Sequence, residues 1–295
     1  MANPALSSNG AQVRRDSWVG ILLVVSGLSM AAMVGAIMKL LASDMSAIQV
    51  AWLRFAGYAA LMLPLVWVRF GRQAFVPRKL SMQVFRGFAM ALSTTLFVIG
   101  VRTVDFADAI AILYAYPFLL TLLAIVFLGE RVSLLSWVAV SGGFIGVLLV
   151  MRPGFADWNV GAIFIFLCAI IVSLQMALNR RLGFISNPLI TSFWGATVAT
   201  IALTFLLPGQ WQPIDLSHAW PLIFMILLGA ISQTLVVFAF SRADASVLAP
   251  FTYFEIVAAI LIGVIIFGTL PTWLSWIGIM LIGLSGLMVA RVLPR

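Results

Sequence analysis

Ten apolar stretches follow one another along the chain, each close to the length that crosses a bilayer core of about 30 Å. They run over 18–40, 46–68, 82–101, 105–128, 132–151, 159–179, 188–207, 219–240, 245–267 and 272–291. Helices are expected, because a helix satisfies its own backbone hydrogen bonds in lipid. The runs lack the alternation of a transmembrane barrel strand. Only 9% of the 295 residues are charged and 63% are hydrophobic, against about 25% charged in a soluble domain. Such a chain cannot cover a water-facing surface with polar groups, so a soluble enzyme is excluded. The first 17 residues are polar and lack an apolar h-region, so no cleavable signal peptide is expected.

The basic residues set an orientation. With ten crossings, the side holding the N-terminus receives 13 of the 17 Lys and Arg residues, Arg86 among them, and the opposite side receives Lys39, Arg102 and Arg152. Arg54 lies inside the second stretch. The positive-inside rule makes the first side cytoplasmic, with both termini inside. The net charge of +8 then reflects basic loops against anionic membrane lipids rather than nucleic-acid binding. The single cysteine, Cys168, lies in an apolar run and reads as a packed core residue. No Cys/His cluster has metal-ligand spacing and no phosphate loop is present, so neither a metal, a cofactor nor ATP-driven pumping is expected. His218 falls at a span boundary and reads as interfacial. Gly142 and Gly146 form a small-xxx-small pair that favours close helix packing.

The two halves resemble each other. Shifted by 139 residues, 105–152 lies on 244–291 without a gap: Asp105 meets Asp244, Tyr114 meets Tyr253, and Leu135-Ser136-Trp137 meets Leu274-Ser275-Trp276. Each half holds five spans, an odd number, so the second must cross in the opposite sense. The expected fold is an all-α membrane protein with ten transmembrane helices as a 5+5 inverted-topology repeat around a central cavity. Its parts are a cytoplasmic tail over 1–17, a first repeat over 18–151, an external linker over 152–158, a second repeat over 159–291 and a tail over 292–295. Inverted repeats of this kind place a substrate site near the midplane between the halves.

Ionisable groups at membrane depth cost roughly 2.5–3.5 kcal/mol at a helix centre on insertion scales. Arg54 and Glu255 are the two deep candidates for substrate binding or coupling. Asp105, Asp108, Ile112 and Tyr116 follow a 3–4–4 spacing on one face of the fourth span, and Asp244, Val247, Phe251 and Glu255 occupy the matching face of the ninth. Tyr116 and Glu255 are therefore expected to face the cavity as symmetry mates, with Asp108 and Phe251 beside them. Tyr114 and Tyr253, also mates, are further candidates. Pro117 and Pro250 each remove a backbone donor and can kink their helices. Lys39 and Arg102 sit near span ends, where their side chains reach the interface.

The residues Tyr116-Pro117 through Phe127-Leu128-Gly129-Glu130-Arg131, Trp52-Leu53-Arg54-Phe55, and Asp244-Ala245 through Ala249-Pro250 to Tyr253-Phe254-Glu255 carry a resemblance. The chain resembles the ten-helix EamA-type transporters of the drug/metabolite transporter superfamily. With Arg86-Gly87, the last stretch is most similar to the subgroup of bacterial S-adenosylmethionine carriers. One departure is that the second half reads Gly268-Thr269 where the family repeats Gly-Glu. The resemblance implies a secondary transporter of a small polar or amphipathic metabolite in the bacterial inner membrane, with a proton or counter-solute as coupling partner. Family frequency points to export. The alternative is uptake of a nucleoside-like cofactor or vitamin such as S-adenosylmethionine or riboflavin. A scaffold or intramembrane enzyme is the alternative of another class.

Overall fold

The computed structural model describes residues 4–128, 134–151, 159–183, 186–242, 248 and 251–292. Every regular element among them is helical. In chain order the α-helices are α1 Pro4–Leu41, α2 Ala47–Phe70, α3 Leu80–Val101, α4 Phe106–Leu113, α5 Tyr116–Leu128, α6 Leu134–Met151, α7 Gly161–Gly183, α8 Pro188–Leu206, α9 Ala219–Arg242, α10 Phe254–Phe267 and α11 Trp273–Val292. Short 3-10 turns follow α2 (Gly71–Phe75) and precede α9 (Leu216–His218).

Local signals set several boundaries. Ser46 caps α2 by accepting from the Gln49 N–H at 3.1 Å, and Asn187 caps α8 ahead of Pro188, which needs no amide hydrogen there. Gly268 ends α10 in the left-handed region (φ 65°). Gly268 N–H then donates to Val264 O, the bond of an αL helix stop, and Thr269 N–H donates to Gly263 O. The Gly268-Thr269 pair, the departure from the family's Gly-Glu, thus serves as a helix stop. Its counterpart Gly129-Glu130 lies outside the described residues.

Six helical stretches are long and apolar enough to cross a membrane, and shorter apolar helices cover Phe106–Leu120, Ser141–Met151, Phe254–Phe267 and Trp273–Ser285. The fourth expected span is the clearest difference from the sequence reading. The stretch 105–128 is not one helix but two, broken at Tyr114-Ala115. Pro117 stands at the second position of α5, where a helix start tolerates it; a continuous helix would set its ring against the carbonyl of Leu113. The backbone also turns at Tyr253, just before α10. The two interruptions fall on residues matched by the 139-residue shift.

Packing follows the logic of helices in lipid. Outward faces remain apolar, with Val68, Phe205 and Ile265 each about four-fifths exposed, so the amphipathic stripe of a soluble helix is missing. Helices approach through small residues. A Cβ on Gly146 of α6 would sit 2.7 Å from the Gly278 carbonyl of α11, and one on Gly278 would sit 2.5 Å from the Gly146 carbonyl. α1 packs on α9 while α3 packs on α7, so the first expected span of each half lies against the third of the other. One large core joins α1, α2, α3, α4, α7, α9, α10 and α11 around Met38, Phe97, Phe106, Tyr114, Ile165 and Met225. Cys168 is buried in it, as the sequence reading expects.

Candidate functional site

The two interrupted helices bring together a tyrosine and a carboxyl group. Tyr114, in the break between α4 and α5, is almost fully buried. Its hydroxyl lies 2.5 Å from the Thr252 carbonyl and 2.8 Å from Glu255 Oε2. Its ring packs against Tyr116 (5.7 Å between centroids) and Tyr253 (5.4 Å). Three tyrosines therefore gather near Glu255, on the second residue of α10. The sequence reading made Tyr116 and Glu255 symmetry mates facing the cavity, with a continuous fourth span, and Tyr114 a further candidate. The span breaks after Leu113, and it is Tyr114 that bonds Glu255.

Other expected residues go elsewhere. Asp108, in the first turn of α4, is buried and accepts from Ser275 Oγ of α11 at 3.0 Å. It ties two helices rather than continuing a face with Tyr116. Phe251 stacks on Phe254 and packs in a small cluster with Val24, Ala239 and Leu248. Pro250 and Asp244 lie outside the described residues. Lys39 donates to the Val104 carbonyl at 2.5 Å and sits over the Phe267 ring; Arg102 donates to the Met45 carbonyl at 2.5 Å. The sequence reading has both side chains reaching the interface; here both turn to backbone carbonyls of the protein.

Arg54 is half-buried on α2. Its described contacts are the Met38 sulfur at 3.6 Å and the face of Phe55 at 5.6 Å. It lines a small pocket of about 70 Å³ between α2, α3, α8 and α9, together with Tyr58, Arg86, Ser192, Met225 and Gln233. Arg86 corrects the charge count. It is no loop residue against the lipid headgroups but is 6% exposed inside α3. Its Nε donates to Asn179 Oδ1 at 2.5 Å and its Nη1 to the Thr191 carbonyl at 2.9 Å. The sequence held the signal, since Arg86 falls within the stretch 82–101.

A latch unforeseen in the sequence closes one end of the molecule, where the α1–α2 turn meets the segment between α8 and α9. Buried Gln49 donates to the Gln212 carbonyl and accepts from the Gln212 N–H, both at 2.8 Å. Trp52 donates to Thr204 Oγ1 at 2.8 Å and meets Trp211 edge-on. His218 Nε2–H donates to Asp44 Oδ2 at 3.1 Å. That bond, with a second from Ser43, holds the Asp44 carboxyl below its ordinary pKa. At the opposite end, Trp194 of α8 donates to the Ala74 carbonyl at 2.8 Å. A tryptophan of each half thus anchors the other half's connecting segment.

The chain matches the model of the EamA-like transporter family twice, over residues 18–152 and 159–291. It is 25% identical to the S-adenosylmethionine uptake transporter of Rickettsia prowazekii (strain Madrid E) over 257 residues, 86% of this chain and 84% of that protein. It is 28% identical to the riboflavin transporter of Rhizobium johnstonii over 210 residues, covering 68% and 67% of the two chains. A solved crystal structure of a protein shares the fold at 17% identity, with a TM-score of 0.62 over 97% of this chain and 99% of that one. Two family matches in tandem over nearly the whole length settle the class, and the protein belongs to the EamA-like transporter family as a multi-pass membrane transporter rather than an enzyme.

Proposed function

We propose that the protein is a secondary carrier that takes up a nucleoside-like cofactor or vitamin, of the S-adenosylmethionine or riboflavin class, across a bacterial inner membrane. It crosses ten times as a 5+5 inverted repeat with both termini in the cytoplasm, and works by alternating access. The expectation of export drew on family frequency alone; the named relatives are uptake carriers or carriers of a vitamin, which favours the alternative reading.

The observation that carries the proposal is the bond between Tyr114 in one helix interruption and Glu255 beside the other. Discontinuous helices at matched positions of two repeats are where carriers place substrate and coupling-ion sites. The Tyr114 hydroxyl has one proton and two acceptors, Thr252 O and Glu255 Oε2. When Glu255 is ionised, both compete for that proton. When Glu255 carries its own proton, it donates to the Tyr114 oxygen while Tyr114 donates to Thr252. Protonation of Glu255 therefore rewires the tie between the two interruptions, which suits a coupling group. Pro117, Tyr116 and Tyr253 shape this region, and Arg54 lies within electrostatic range of Glu255 but outside ion-pair distance.

The test is counterflow in reconstituted vesicles preloaded with S-adenosylmethionine or with riboflavin. Exchange of one of them above protein-free vesicles is the expected result. Exchange of neither, with a drug or amino acid exchanging instead, would overturn the cofactor class.

A further inference from the structure

We infer that the pocket between α2, α3, α8 and α9 binds an organic anion, with Arg54 and Arg86 taking its carboxylate or phosphate oxygens. The inference deepens the transport reading above and rests on it for placing the pocket on the solute's route.

The charge balance of the pocket is the starting point. Two guanidinium groups line it and no carboxylate does. Among the described residues the ion pair is Asp44–His218, which involves neither arginine. Glu255, the nearest acid in electrostatic terms, is engaged by Tyr114 and stands outside the lining. Arg86 spends two of its donors on neutral acceptors, Asn179 Oδ1 and the Thr191 carbonyl, and its Nη2 has none among the described residues. Arg54 has five donor hydrogens, and among the described residues its one acceptor is a sulfur, a weak one. Uncompensated cations at membrane depth are retained where they face a bundle interior and serve a substrate.

The fork of a guanidinium matches the two oxygens of a carboxylate or phosphate. The two arginines enter from opposite ends. Arg54 lies about 10 Å along α2 from Ala47, and Arg86 about 9 Å along α3 from Leu80, at 1.5 Å per residue on antiparallel helices. Tyr58, one turn beyond Arg54, lines the same pocket beside Ser192 and lies within electrostatic range of both arginines. The remaining walls are apolar and adaptable, with Phe55, Met90 and Met225 suited to a flat or irregular body. The geometry of Gly195 on α8 belongs to the same design. A Cβ there would lie 2.0 Å from Arg86 Nη1, so the missing side chain is what seats the guanidinium. Helices from both family repeats contribute, which places the anion between the halves.

The test uses the full chain in phosphatidylcholine nanodiscs, melted by tryptophan fluorescence with benzoate, phenyl phosphate, benzamide or benzylammonium. Benzoate and phenyl phosphate should raise the midpoint while the neutral and cationic analogues do not. Arg54→Gln should raise the half-saturating benzoate concentration at least about tenfold, the equivalent of a lost charge-assisted hydrogen bond, and Arg54→Lys should restore part of it. Arg86→Gln should do the same where it folds; Arg54→Gln, which removes only the contacts with Met38 and the Phe55 ring, decides the matter otherwise. A benzamide shift equal to that of benzoate, or a benzoate response that survives Arg54→Gln, would overturn the inference. Repeating the titration in phosphatidylglycerol discs distinguishes the source of the anion. Suppression of the benzoate response assigns the pocket to a lipid headgroup, and persistence assigns it to a soluble solute; both retain the anion site. Anion-selective shifts without counterflow of either cofactor would keep the pocket and remove the cofactor class. Normal counterflow in a variant blind to benzoate would keep the cofactor class and the anion site but take the pocket off the solute's route, overturning its place in transport.

Discussion

Glu255 and Arg54 carry opposite charges within the same apolar bundle, and the protein furnishes them in opposite ways. Glu255 is met by a tyrosine hydroxyl held at 2.8 Å by an interrupted helix. Arg54 faces a cavity with a thioether sulfur as its described polar contact. A group already bonded to its own protein is suited to sense and transmit a change in protonation. A group left with free donors is suited to receive a ligand. The contrast separates coupling from recognition, two roles that a list of buried ionisable residues would merge.

The largest effect expected is from Glu255→Gln, which keeps shape and hydrogen bonding but cannot ionise. Gradient-driven accumulation should fall to the passive level, while the protein remains inserted and folded in detergent. Accumulation with an unchanged pH profile would return Glu255 to a structural role. Next in size is Gly195→Ala, which drives a methyl group into the Arg86 guanidinium. Overpacking of this kind costs about 1–3 kcal/mol, so the melting midpoint should drop and benzoate should lose much of its effect. Coupling through Glu255 should survive in the folded fraction, and an unchanged melt would show that Arg86 has another seat. Tyr114→Phe removes the hydroxyl that bonds both Thr252 and Glu255, at about 1 kcal/mol net per bond. It should weaken the pH dependence of transport more than its maximal rate; a pure rate effect would contradict the protonation link.

The smallest effect is at the latch between the α1–α2 turn and the segment before α9. The Asp44 carboxyl is held low by His218 and Ser43. The contact is therefore complete above the ordinary carboxylate value of about 3.9 and is lost only as the pH falls through the lowered one. Hydrogen exchange over residues 207–216 should be flat from pH 8 to pH 5 at matched intrinsic rates and rise on further acidification. Asp44→Asn should loosen the segment slightly at neutral pH. No change in the variant would leave the closure to Gln49 and Trp52.

Much of the architecture was legible because lipid demands long apolar helices, and their lengths and loop charges can be counted. What escaped was phase and company. The spacing Asp105–Asp108–Ile112–Tyr116 assumes an unbroken helix, but the stretch breaks at Tyr114-Ala115, and Tyr114, within that break, bonds the Glu255 carboxyl. A proline three residues later marks such a site only by its tolerance, because Pro117 suits a helix start as well as a kink. Arg86 was readable as an in-span charge, but its company with Arg54 depends on α2 and α3 lining one cavity with α8 and α9, which no local pattern encodes. The bond between Asp108 and Ser275, 167 positions away, is likewise beyond any local pattern.

The division of roles between Glu255 and Arg54 is tested most directly by measuring counterflow exchange and gradient-driven accumulation of the same solute in the same vesicles. Exchange needs recognition and movement but no coupling ion, whereas accumulation needs all three. The prediction is that Glu255→Gln retains exchange and loses accumulation, while Arg54→Gln loses both at equal amounts of inserted protein. Retention of both activities by Arg54→Gln, or loss of exchange in Glu255→Gln alone, would contradict the account.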